Sequence, residues 1–263
     1  MEYQKRLIYD FLSGARRLLI VLDACRYDTL VDNIGILQPF KAKISKVVST
    51  GSCTRDWLLE TFTEPLCVVY VTANPWVSLI HGESRMFKKI VDVSSRFWDE
   101  RLGTVRAEHV NMIALKYLAR GENLIVHYLQ PHAPFVVETW LKDNTSQSQV
   151  AGSKIYDLVA RSEEARREFR RAYVENLKYV LKNARRLVET ALRFRYRVVI
   201  TSDHSELMGV YSPLKTFRLL FRKNIVVFLK NWLPYVTGYF HVVGHPCGWT
   251  GRELYEVPWV VVC

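Results

Sequence analysis

Five short runs built from Val, Ile and Leu constrain this chain most: LLIVLD (18–23), LCVVYVT (66–72), NLIVHYL (123–129), RVVITSD (197–203) and VPWVVV (257–262). They are continuously apolar instead of alternating, which is the pattern of strands covered on both faces. Amphipathic stretches at 2–13, 54–63, 105–120 and 162–194 lie between them. In the last, Phe169, Tyr173, Leu177, Val180, Ala184, Leu187, Val188 and Ala191 recur every three or four positions, giving one buried helical face. Ser162 followed by Glu163 and Glu164 reads as its N-cap with an acidic first turn. Strands alternating with helices imply an α/β fold: a three-layer sandwich with a mostly parallel central sheet flanked by helices.

Ligands of such sheets bind beyond the carboxyl ends of the strands. Polar residues just after each apolar run therefore matter most. They are Asp23, Thr54 in the GSCTR turn, Asn74, His127, His132, Asp203 and His204. Carboxylates and imidazoles ligate divalent cations, and a hydroxyl held beside such a cation becomes a nucleophile at neutral pH. An Asp-His dipeptide or a strand-end Asp says little alone, since the latter is often a helix cap. The weight lies in the ordered set.

That set resembles the alkaline phosphatase-like superfamily, and its sulfatase-like branch in particular. VLDACRYDTL (21–30) resembles the opening strand with its metal-binding Asp, and STGSCTRDWL (49–58) the nucleophile segment. HYLQPHAPF (127–135) is similar to the PHxPF segment, and VITSDHSELMG (199–209) to the TSDHGE segment with its Asp-His metal pair. The resemblance extends to the strand-like end of GHPCGWTGRELYEVPWVVV (244–262), so it spans 18–262 in order. It implies that Asp23, Asp203 and His204 are metal ligands and that Thr54 is both nucleophile and ligand. His132 would bind the transferred or leaving group or protonate the latter. Asn74, and with it His127, would contact the substrate. His245 would belong to a second metal, together with His127 or His132. Arg26 and Asp28 read as a structural pair. The implied cofactor is a divalent cation (Zn, Mn, Ca or Mg) at one site, with room for a second.

Three departures bear on the chemistry. Cys53 is followed by Thr-Arg-Asp-Trp, without the Pro and Arg of the Cys-x-Pro-Ser-Arg signature that yields formylglycine. This favours phosphate mono- or diesters and an unmodified Thr54, with a sulfatase as the alternative. Cys53 is the competing nucleophile, less suited because a soft thiolate captures metal. Ser205 stands where the branch has Gly, which requires a negative φ there. The chain is also short for the superfamily, a minimal core. A non-catalytic module binding an anionic glycan or lipid on the same fold is the further alternative.

Composition sets the remaining bounds. The 263 residues, 49% hydrophobic and 24% charged, suit one domain over 1–263. A net charge of +11 favours anionic partners: small-molecule, glycan or lipid-headgroup esters. Nucleic acid is not expected, because no binding motif accompanies the basic helix face. The segment 210–240 interleaves aromatic residues with Arg and Lys and reads as an insertion, either packed or in peripheral contact with a membrane. Five cysteines, an odd number without CxxC spacing, argue against a disulfide framework and a structural zinc knuckle. Cys67 reads as a buried small hydrophobe, and His81 and His109 as exposed. With no signal-like N-terminus, the expectation is a cytoplasmic protein.

Overall fold

The computed structural model describes residues 2–141, 155–156, 158–160, 162–211 and 241–263. In chain order its elements begin with α1 (Gln4–Leu12), β1 (Arg17–Asp23), α2 (Tyr27–Asn33), β2 (Ala42–Val48), α3 (Thr54–Thr61), β3 (Leu66–Thr72), α4 (Pro75–His81) and β4 (Phe87–Asp92). A short excursion follows: α5 (Ser94–Phe97), β5 (Trp98–Asp99) and β6 (Thr104–Val105). The chain continues through α6 (Ala107–Leu118), β7 (Leu124–Pro131), α7 (Glu163–Arg193), β8 (Arg197–Ser202), β9 (Leu207–Tyr211), β10 (His241–Gly244) and β11 (Glu256–Val262).

Seven strands form the central sheet in the order β2-β11-β8-β1-β7-β3-β4. Five of them, β8 through β4 in that order, run parallel, and β11 is antiparallel to both β8 and β2. Alternate residues of one strand feed two cores. Leu18, Ile20 and Leu22 of β1 pack with residues of α2, α6 and α7, whereas Leu19 and Val21 pack with those of α1, α3 and α4. This is the three-layer α/β sandwich that the continuously apolar runs require. Each fully buried side chain of this size stabilises the fold by about 1.5–3 kcal/mol.

The long helix α7 starts as its sequence dictates: Ser162 Oγ accepts from the Ala165 N–H at 3.2 Å. Its buried Asn176 then fixes the loop after β7, donating to the Pro131 carbonyl at 3.1 Å and accepting from the Val136 N–H at 3.1 Å.

Three sequence expectations are corrected here. Cys67 is exposed: it lies at the start of β3, before the strand enters the core. His81 is buried instead of exposed, packed edge-on against Phe62 and Phe87 with Nε2 3.4 Å from the Leu58 carbonyl. Cys53 and Cys247 form a disulfide across a sequence separation of 194. An odd cysteine count does not exclude one bridge, and spacing along the chain does not show which residues a fold brings together. Of the 210–240 segment, residues 212–240 lie outside the described residues.

Candidate metal and nucleophile site

Strand ends place the acidic groups. At the end of β1 the register with β7 slips, so that Leu22 lies opposite Tyr128 but Asp23 lies opposite Pro131. The next residue, Ala24, is left-handed at φ 57°. Such a conformation costs a non-glycine residue about 1–3 kcal/mol and persists only where its surroundings hold it. Here the Ala24 N–H donates to Asp203 Oδ1 at 3.1 Å, and its carbonyl accepts from the Tyr173 hydroxyl at 2.6 Å. Ser202 ties the same corner: its Oγ lies 2.6 Å from both the Leu22 and His204 carbonyls and accepts from the Cys25 N–H at 2.7 Å.

Thr54 opens α3. The turn before it is anchored by Ser49, whose hydroxyl donates to the Asp203 carbonyl. Gly51 is required there, because a Cβ would come within 2.2 Å of the Trp57 backbone nitrogen. Thr54 Oγ1 donates to Asp203 Oδ2 at 2.7 Å and lies 3.2 Å from His204 Nε2. Asn74 caps α4, accepting from the Trp76 N–H at 3.0 Å, while its Nδ2 donates to Asp23 Oδ2 at 2.7 Å and lies 3.5 Å from Thr54 Oγ1. His204 Nε2 is 3.6 Å from Asp23 Oδ1 and 3.3 Å from Asp203 Oδ2. Asp23, Thr54 and the Asp203-His204 pair, three places far apart in sequence, thus share one buried locus.

The His204 tautomer follows from its neighbour. Nδ1 lies 2.9 Å from the Ser205 carbonyl, which can only accept, so Nδ1 carries the proton and Nε2 offers a lone pair to the cluster. Ser205 lies outside the left-handed region and needs no glycine. Burial pulls the His204 pKa down to about 4, keeping the ring neutral. Burial also favours the protonated carboxyl of Asp23, and nearby Asp203 pushes the same way, so its pKa is raised well above the usual carboxylate range. Burial opposes ionisation of Asp203 too, but His204, His127, the Thr54 hydroxyl and the Ala24 N–H outweigh it and hold that pKa low.

This donor set fits a divalent cation. Two fully buried carboxylates face one another, and among the described residues their ion-pair partners are histidines alone. Asp23 Oδ1 and His127 Nε2 are buried without a hydrogen-bond partner. Orphaned buried polar atoms of this kind are rare unless an ion or water completes them.

His127 borders the same cluster as Asp23 and Asp203. It is fully buried, with Nδ1 3.0 Å from the Tyr70 hydroxyl, Nε2 3.8 Å from Asp203 Oδ2 and its ring edge-on to Trp57. His132 and His245 form a second cluster beside the first. Their Nε2 atoms are 3.3 Å apart, and the His245 ring centroid is 4.4 Å from that of His204. Glu206 completes it, with Oε2 3.1 Å from His245 Nδ1 and Oε1 buried without a partner. Burial opposes the His245 charge, but Glu206 prevails and raises its pKa. Burial and then His245 lower that of His132 to about 3. Arg26 and Asp28 pair directly, with Arg26 Nε 2.9 Å from Asp28 Oδ1, and Arg26 also donates to the Glu206 carbonyl at 2.7 Å.

Glu206 is the residue that sequence reasoning left without a role, although it stands three positions after Asp203 in the quoted VITSDHSELMG segment. Cys53 is corrected as a competing nucleophile, because its sulfur is bonded to Cys247.

Comparison with solved structures accords with this topology. The C-terminal periplasmic domain of EptC from Escherichia coli, in complex with Zn, superposes with a TM-score of 0.57 at 15% identity, covering 95% of this chain and 73% of that one. The chain has an alkaline phosphatase-like fold. The soluble domain of lipooligosaccharide phosphoethanolamine transferase A from Neisseria meningitidis gives 0.53 at 14% identity, covering 94% and 76%. The lipoteichoic acid synthase LtaP from Listeria monocytogenes gives 0.50 at 12%, covering 95% and 65%. No protein-family model and no curated protein sequence matches the chain.

The expectation of a cytoplasmic location is overturned. The E. coli domain of this fold is periplasmic, and the Cys53–Cys247 bridge is of a kind that persists in oxidising compartments. Among the described residues no helix is long and apolar enough to cross a membrane.

Proposed function

We propose that this chain is a metal-dependent enzyme that transfers or hydrolyses phosphate esters through Thr54. The observation that carries the reading is the Thr54 hydroxyl, 2.7 Å from Asp203 and 3.2 Å from His204 Nε2, at the start of a helix and beside two buried carboxylates. Asp23, Asp203, His204 and Thr54 would hold the cation, and the mixed oxygen and nitrogen donors suit Zn or Mn better than Ca or Mg. Bound there, the cation would lower the hydroxyl pKa and neutralise charge on the transferred group.

The chain's own residues do the rest. Asp203 accepts the Thr54 proton, and Oγ1 attacks phosphorus as the bond to the leaving oxygen breaks. Asn74 Nδ2, already aimed at Thr54, donates to an oxygen of the transferred group. His245, whose charged form Glu206 favours, shares its Nε2 proton with His132, and the pair supplies the proton that the leaving oxygen takes up. A water or an acceptor hydroxyl then releases the phosphoryl group from Thr54. The same His132, Glu206 and His245 set is equally suited to a second cation.

Similar folds are named lipooligosaccharide phosphoethanolamine transferase and lipoteichoic acid synthase, and one is a periplasmic domain, which supports an anionic lipid-headgroup or glycan ester as substrate and an extracytoplasmic setting. A formylglycine sulfatase is disfavoured, since Cys53 is committed to the disulfide. The test uses p-nitrophenyl phosphate mono- and diesters with Thr54→Ala and with EDTA. Each treatment abolishes p-nitrophenol release, and mass analysis of the wild type finds phosphate on the peptide carrying Thr54. Activity that survives both treatments refutes the proposal.

A further inference from the structure

Gln4 is fully buried at the first position of α1, a place where a polar amide is costly unless every group is satisfied. Its partners are not local. Nε2 donates to Thr201 Oγ1 at 2.7 Å and to the Ser202 carbonyl at 2.6 Å, and Oε1 accepts from the Trp57 indole N–H at 2.8 Å. The orientation of the amide is unambiguous: an indole N–H can only donate and a carbonyl can only accept, so the two ends of the amide cannot exchange. Thr201 donates to the Pro258 carbonyl at 2.7 Å, which leaves its oxygen to accept from Gln4.

These partners lie next to the chemistry. Thr201 and Ser202 are the last residues of β8 before Asp203 and His204, and Trp57 is one turn along the helix that Thr54 opens. The segment around Gln4 also grips the strand leading to the Thr54 turn: the Glu2 carbonyl accepts from the Val48 N–H at 2.9 Å, and Tyr3 bridges Val48. Leucine or methionine would fill the volume of Gln4 but could not join the three groups.

We infer that Gln4 is a positioning residue, a single amide that sets the Thr54 helix against the Asp203-His204 strand end. The inference rests on the reading of those residues as nucleophile and metal ligands. The Thr54–Asp203 distance is fixed only as well as the two elements are fixed to each other, and misplacement by about 1 Å can cost on the order of 100-fold in rate.

The test compares wild type with Gln4→Leu, Gln4→Glu, Trp57→Phe and the Gln4→Leu/Trp57→Phe double variant. In folded protein, well below the melting temperature, kcat falls by about 10- to 100-fold with KM little changed, and zinc affinity measured by calorimetry falls in parallel. Amide exchange rises in 49–58 and 201–206 and not elsewhere in the sheet. The double variant loses less than the sum of the two single changes, because Gln4→Leu and Trp57→Phe break the Gln4–Trp57 contact in common. If Gln4→Leu does not fold, Trp57→Phe carries the test, since it removes the indole donor while the Gln4 bonds to Thr201 and Ser202 stay, and its loss of core volume is read separately in the melting temperature. A wild type that binds zinc but turns over no ester defeats the enzymatic reading, while zinc affinity and exchange still decide the role of Gln4. Variants that melt earlier but keep wild-type kcat, zinc affinity and exchange in both loops show Gln4 to be core packing alone and overturn the inference.

Discussion

Reducing the Cys53–Cys247 bridge should cost this protein stability on the scale of its entire folding free energy. The bridge closes a loop across a separation of 194 residues. By loop-closure entropy, a loop of that length restricts the unfolded chain by roughly 5 kcal/mol. Total stabilities run to about 5–15 kcal/mol, so the bridge is a large share. The folded state should change little on reduction, because other contacts hold the same segments together. Ser52 Oγ donates to the Pro246 carbonyl at 3.0 Å and accepts from the Trp249 N–H at 3.1 Å, and the Gly248 N–H donates to Asp56 Oδ2 at 3.1 Å. The assay is urea unfolding with and without dithiothreitol, beside the double variant Cys53→Ala/Cys247→Ala. Alanine is preferred to serine because Cys53 is the N-cap of α3 without a side-chain cap bond, and serine there would add about 1 kcal/mol of its own. With a slope of about 3 kcal/mol per molar urea, the midpoint falls by roughly 1.5 M, and the slope rises because the reduced chain unfolds further. A midpoint shift under about 0.3 M would mean that the bridge does not restrict the unfolded chain, and the reasoning fails.

Three further outcomes follow from buried hydrogen bonds and a buried imidazole. Ser202→Ala leaves the Cys25 N–H without this acceptor and removes the hydroxyl shared between the Leu22 and His204 carbonyls, so stability falls by about 1–3 kcal/mol in urea and zinc affinity by about 10- to 100-fold by calorimetry. Tyr173→Phe removes the hydroxyl that joins the Ala24 carbonyl to the Arg26 N–H, at a cost of about 1–3 kcal/mol in the same titration, and an unchanged midpoint would contradict it. Burial lowers the His81 pKa despite the Leu58 carbonyl, so the folded state resists a proton that the unfolded chain accepts. The His81 contribution is therefore complete above about pH 6.5 and lost as pH falls below it, and His81→Gln should flatten the decline in urea midpoint between about pH 7 and 5.

What the sequence disclosed depended on how local the cause was. Strands buried on both faces announce themselves by composition, and all five apolar runs are strands of the sheet. The Ser162 cap was legible because a cap is set by its next three residues. By contrast, β2 is an edge strand with a largely exposed, alternating face, and its AKISKVV carries no continuous apolar signal. The residues Asp23, Thr54, Asp203 and His204 could be singled out because strand ends and motif order mark them. Gln4 and the Cys53–Cys247 pair could not, since their partners lie 53 to 198 positions away and nothing nearby in sequence names them. Glu206 was in plain view beside Asp203, but only the approach of His245 gives it a partner.

The bent peptide at Ala24 has a consequence for how this centre can evolve. A single left-handed residue fastens the backbone that bears one acid directly to the side chain of the other, so the spacing between the two carboxylates is inherited from main-chain geometry. The Thr54 hydroxyl and the His204 imidazole therefore meet a pair of acids whose separation the main chain helps to set.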